Sequence, residues 1–149
     1  MKINKAFIYF IVLLIIVVGI RCKSVRISSS QTAMYKSIYI DQFKLKYFTQ
    51  MLINGYNNSQ AIQEIISIDH SGFTEPILTE DDYNFIDSIT RIDNQKMQSD
   101  SANSIGRVAE GAKGKHILGF VLGRISSKWL DSLANKRYKN AGVEKMYKD

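Results

Sequence analysis

The chain has 149 residues, 45% of them apolar and 23% charged, with one cysteine, two histidines and a net charge of +6. That length supports one domain around one core once a leader is set aside; the lone cysteine excludes an internal disulfide, and with two histidines it supplies no zinc cluster. Three of the 20 basic residues lie in the first 22 positions, leaving 17 against 14 acidic, too even a balance for the basic footprint of a nucleic-acid binder.

Lys2 and Lys5 precede an unbroken apolar run from Ala6 to Ile20, closed by Arg21-Cys22. Its 15 residues rise only about 22 Å as a helix, short of the ~30 Å hydrocarbon core. Residues 1–22 therefore read as a signal peptide or lipoprotein leader, and the rest of the chain as exported to the periplasm. Cys22 stands where a lipoprotein thiol is acylated and becomes the new N-terminus, although Arg21 replaces the small residue that usually precedes it. An uncleaved signal anchor is the third reading, opposed by Arg21, Lys23 and Arg26, which are basic on the side that must translocate.

Residues 23–33 are polar and serine-rich and read as a tether; residues 34–149 read as a helical domain. Apolar positions at Ile40, Phe43, Tyr47, Phe48, Met51 and Leu52 predict a first helix over Tyr35 to Ile53. Asn54-Gly55 stops it. Asn57-Asn58-Ser59 offers a cap for a second helix with the stripe Ala61, Ile62, Ile65 and Ile66. The second helix ends near Asp69, and His70 to Ile77 holds Gly72 and the single proline, Pro76, and reads as a loop presenting Phe73. Thr79 with Glu80-Asp81-Asp82 opens a third helix burying Phe85, Ile86, Ile89, Ile92 and Met97.

A fourth helix carries Ile105, Val108, Ala109 and Ala112; Lys115 to Ile125 reads as a fifth helix burying Ile117, Leu118, Val121 and Ile125, with a buried strand as the alternative that periodicity leaves open. Ser126-Ser127 caps a last helix with Trp129, Leu130, Leu133, Ala134 and Tyr138, stopped at Asn140-Ala141-Gly142. The fold class is all-α, a compact bundle of about six helices behind an N-terminal signal or anchor segment.

No local motif carries chemistry by itself. Gly106 to Gly111 has phosphate-loop spacing but continues Ala112-Lys113, without the lysine and hydroxyl a phosphate needs. Gly111-Ala-Lys-Gly114 matches a nucleic-acid-binding glycine loop whose strands are missing here, and reads as a helix–helix turn. Gly119 to Gly123 has GxxxG spacing and reads as close helix packing in the core. Asp69-His70-Ser71 offers the residue types of a hydrolase triad side by side, whereas triads converge from separate elements. No cofactor or metal is expected, and an enzyme is the minority reading.

The stretch from Gly114 to Ala134 resembles the type VI secretion amidase immunity proteins of the Tai4 type. The resemblance lies in the Gly114-Lys115 turn, the helix after it, the Ser127-Lys128 step and the helix start Leu130-Asp131-Ser132-Leu133. Val121 and Ser126 stand where members often have cysteine and histidine. The resemblance implies a periplasmic protein, often a homodimer, that binds a secreted peptidoglycan amidase toxin and blocks its active site.

An inhibitor needs a protruding anchor with a polar rim. Asp69 to Glu75 is the candidate, with Phe73 as anchor and Asp69, His70, Ser71 and Glu75 as polar contacts; Glu80-Asp81-Asp82 ranks second. Each residue also has a passive reading, as a turn with Phe73 tucked into the core or as simple helix capping. Two alternatives stay open: an envelope lipoprotein with a structural or assembly role, and a small hydrolase using His70.

Overall fold

The computed structural model describes the backbone of residues 5–72, 75–102 and 114–143, and the side chains of residues 30–72, 75–102 and 114–143. Among them are five α-helices and no strand: α1 Lys5–Gly55, α2 Gln60–Ile68, α3 Glu80–Ala102, α4 Ile117–Ile125 and α5 Lys128–Ala141. The all-α expectation holds. The helix expected around residues 105–112, with the glycine spacing 106–111, falls outside the described residues. The chain divides into two compact units, residues 1–35 and 36–149.

α1 starts far earlier than the apolar stripe suggests. The stretch 23–33, expected as a tether, continues the helix. No glycine or proline lies between Gly19 and Gly55, and an established helix gains a hydrogen bond for each further residue, so a serine run does not end it. Among the residues with described side chains, no helix is long and apolar enough to cross a membrane; the apolar run 6–20 and Cys22 lie outside them.

α1 ends through Asn57 and Asn58, whose φ of 54° and 53° is a left-handed conformation that asparagine tolerates better than most residues. Gly55 is needed for another reason. A Cβ there would sit 2.9 Å from Ile117 Cγ2, so α1 and α4 meet backbone to side chain. From that point α4 and α5 retrace α1: Ile117 packs at Gly55, Lys44 pairs with Asp131, and the Tyr138 ring meets Tyr39 edge-on at 5.4 Å. α3 runs the same way as α1, because Phe43 faces Phe85, Gln50 bonds Asp87 and Asn54 bonds Thr90.

The core is Tyr39, Phe43, Tyr47, Met51 and Leu52 of α1 with Ile62, Ile77, Ile86, Met97, Ile117, Val121, Leu130, Ala134, Tyr138 and Val143. The stripes of α1 and α5 follow the expected period. Several stripe positions need correction: Ala61, Ile65, Ile92 and Leu118, all expected inside, are exposed, as are Leu122 and, at the start of α5, Trp129. The α3 face turned to the core is Asp82, Ile86, Thr90, Asp93 and Met97, a helical spacing in which three of five side chains are polar. Gly119 and Gly123 are exposed with open space over both, so the GxxxG pair does not form the close core packing expected of it. Helix α5 is capped by Ser127, which accepts from the Leu130 N–H, and stops at Gly142 with φ 65°.

Candidate functional site

Two buried polar clusters organise the domain, each built from a tyrosine of α1, an aspartate of α3 and an arginine of α4 or α5. In one, the Tyr47 hydroxyl donates to Asp93 Oδ2 at 2.5 Å and Arg124 Nη2 reaches Oδ1 at 2.6 Å. Arg124 lies 4.3 Å from the Trp129 ring centroid and 5.2 Å from that of Phe120, so aromatic faces replace part of its lost hydration. Burial, and then the Asp93 carboxylate, push the Tyr47 pKa far up, which keeps the phenol neutral and donating.

In the other cluster Arg137 donates to Asp82 Oδ1 through Nε and Nη2, both at 2.8 Å. Asp82 Oδ2 accepts from the Thr79 N–H at 3.0 Å and its hydroxyl at 2.9 Å. Burial alone would raise the Asp82 pKa; the Thr79 N–H, the Tyr39 hydroxyl and the Arg137 guanidinium outweigh it and hold the carboxyl below its ordinary range. The Tyr39 hydroxyl is buried beside the Asp82 carboxylate without a well-aligned hydrogen bond, and burial, then that carboxylate, push its pKa far up. Of the acidic trio at the start of α3, Asp82 is thus fully buried and engaged, while Glu80 and Asp81 are exposed. Burial removes Asp82 from any contact surface.

The loop after α2 depends on one side chain of α1. Gln42, 6% exposed, donates from Nε2 to the Glu75 carbonyl at 2.7 Å and accepts the Ile77 N–H on Oε1 at 2.9 Å. A carboxamide carries one donor face and one acceptor face, matching the two main-chain groups it holds. Beyond this staple, Asp69, His70, Ser71, Gly72, Glu75 and Pro76 are exposed; Phe73 lies outside the described residues.

Asp69 Oδ1 accepts both the Ser71 N–H at 3.1 Å and the Ser71 hydroxyl at 2.5 Å, and these bonds, the hydroxyl first, lower the Asp69 pKa. The carboxylate goes straight to the serine with no imidazole between them, an Asx turn and not a Ser–His–Asp relay.

Beneath the loop lies a groove of about 250 Å³ lined by Leu45, Lys46 and Thr49 of α1, Ile66 of α2, Asp69, Gly72, Pro76 and Leu78 of the connection, and Tyr83 of α3. Lys46 stands over the Tyr83 ring, 5.5 Å from its centroid. Ile65 and Ile68 of the adjoining α2 are 56% and 73% exposed, so apolar surface flanks the loop. The sequence pointed to the loop and missed its support: Gln42 has the helical spacing of an inward position beside Phe43, the one signal that could have found it.

Within residues 114–134, Lys115 Nζ donates to the Gly55 carbonyl at 3.1 Å and to Asn57 Oδ1 at 3.3 Å, satisfying the end of α1. Among the described residues, no group of three or more His, Cys, Asp or Glu could hold a metal ion. Fold and site define an all-α domain with an exposed loop pinned to its core. No family model, curated protein or solved structure matches the chain.

Proposed function

We propose that the protein is a periplasmic immunity protein that binds and inhibits a peptidoglycan amidase toxin of a type VI secretion system, held at the membrane through Cys22 or its leader. The observation that carries this reading is the loop after α2, whose described residues Asp69 to Gly72 and Glu75 are exposed, stapled through Gln42 to the helical core and flanked by the exposed Ile65 and Ile68. A protruding segment whose base is already fixed loses little further entropy on binding. In this proposal Phe73 fills the toxin's cleft, with Asp69, His70, Ser71 and Glu75 forming the polar rim. The resemblance of residues 114–134 to amidase immunity proteins and the apolar run 6–20 agree with it. A homodimer belongs to the same reading.

The test is a titration of the full-length protein into secreted amidases encoded beside it, read as release of peptidoglycan stem peptides. Stoichiometric inhibition is expected, weakened by Phe73→Ala and by Glu75→Lys. Tight association that leaves amidase activity intact contradicts the reading.

A further inference from the structure

Charge is segregated along this chain. Residues 56–82, which hold α2, the loop and the start of α3, contain six acidic residues and no lysine or arginine, whereas residues 114–143, which hold α4 and α5, contain six basic residues and one acidic. The neighbouring residues 103–113 and 144–149, outside the described ones, add four basic and three acidic residues and do not reverse that balance. The two segments also lie on opposite sides of α1. Gln42 holds the loop and Lys44 holds Asp131 of α5, and positions two apart on a helix point about 200° from each other.

Only part of the basic charge faces outward. Arg124 and Arg137 turn to Asp93 and Asp82 of α3, Lys115 closes the end of α1, and Asp131, the one acid, pairs with Lys44. Lys128, Lys136 and Lys139 are exposed and fall within about 80° of arc on α5, turned away from the buried Leu130, Ala134 and Tyr138. Both helices meet α1, at Gly55 and Tyr39, and α3, through the two arginines. The side left over carries the three lysines with Leu118 and Leu122, one turn apart and 55% and 61% exposed. Lysines beside a pair of leucines match the chemistry of a bilayer surface, where headgroup phosphates take the ammonium groups and leucines enter the acyl boundary.

We propose that the outer face of α4 and α5 docks on an anionic phospholipid surface, and that the same surface repels residues 56–82, five of whose six acids are exposed, and so turns the loop away from the membrane. This rests on the membrane attachment in the reading above and not on the amidase. Attachment raises the local concentration of the surface, so a face of three lysines suffices. Lying flat requires α1 to bend between its leader and Tyr39; the serine-rich residues 23–33 have weak helical preference and lie just before the division between the two units.

The test uses full-length protein in which Trp129→Phe removes the only tryptophan and a new one is placed by Leu122→Trp or, on α2, by Ile65→Trp. Emission is read on protein floated with vesicles of phosphatidylcholine and phosphatidylglycerol in equal parts, brominated in their acyl chains, and with vesicles of phosphatidylcholine alone. The Leu122→Trp reporter should be quenched in the anionic vesicles only, and released near 1 M salt, where screening falls to about 3 Å; the Ile65→Trp reporter should stay unquenched. Lys128→Gln and Lys136→Gln should each lower the docked-to-free ratio about fivefold. A chain that does not float refutes the attachment and the docking with it. A floated chain whose Leu122→Trp reporter is unquenched, is quenched equally in neutral vesicles, or is blue-shifted without quenching, the mark of a protein covering the face, refutes the docking alone.

Discussion

The two Tyr–Asp–Arg clusters look like repeats of one device, yet they differ in what each atom does. Around Asp93 the tyrosine donates at 2.5 Å and the arginine lies near two rings; around Asp82 the tyrosine hydroxyl makes no well-aligned bond, the arginine lies near one ring, and the carboxylate also closes the start of α3 through Thr79. Buried charge is therefore tied to chain geometry at one site and to side-chain packing at the other. A buried ion pair adds little over a well-packed apolar substitute, but removing one partner strands the other.

That difference sets the order of the expected effects. Asp82→Ala should cost the most, about 3–5 kcal/mol, since it strands Arg137 and removes the bonds to Thr79 at the start of α3; Asp93→Ala should fall at the lower end of that range, because no helix start depends on it and Arg124 keeps two ring contacts where Arg137 keeps one. Chemical denaturation of the two variants measures the gap, and equal costs would mean that the Thr79 bonds contribute nothing.

Gly55→Ala comes next. The added methyl meets three atoms of the buried Ile117 within 3.1 Å and should lower the unfolding midpoint by the equivalent of about 1–3 kcal/mol. The paired variant Ile117→Val should recover part of that loss, which a thermal melt can read.

The smallest substitutions discriminate most finely. Tyr47→Phe removes a working hydrogen bond to a carboxylate and should cost about 1.5–3 kcal/mol. Tyr39→Phe removes a hydroxyl that sits beside Asp82 without a well-aligned bond and should cost less, about 0–1 kcal/mol. A comparable loss at both positions would make the clusters equivalent.

Acid adds a further contrast. Asp82 titrates below its unfolded value of ~3.9, so its contribution is complete above that value and fades as pH falls through the lower folded value. Asp82→Asn should flatten this acid limb, as stability measured between neutral pH and the onset of acid unfolding will show.

The same contrast explains what was legible in the sequence. The apolar stripes of α1 and α5, the Ser127 cap and the Gly142 stop could be read directly, because apolar periodicity and capping act locally. The inward face of α3 could not. Its 82, 86, 90, 93, 97 spacing is helical, but a reading that sends apolar residues inward assigns Ile92 to the core and leaves Asp93 outside. The arginines that make those aspartates buriable lie 31 and 55 positions away. Likewise the loop's composition revealed it as a loop, whereas its anchoring by Gln42, 33 positions from Glu75, is a tertiary fact.

The loop is the exposed counterpart of these buried clusters, and on it the functional account rests. Hydrogen exchange of the full-length protein with and without the amidase toxin proposed as its partner addresses that account most directly. Added protection should be confined to residues 69–77 and the adjoining end of α2. Protection centred on α4 and α5 with the loop unchanged would contradict it.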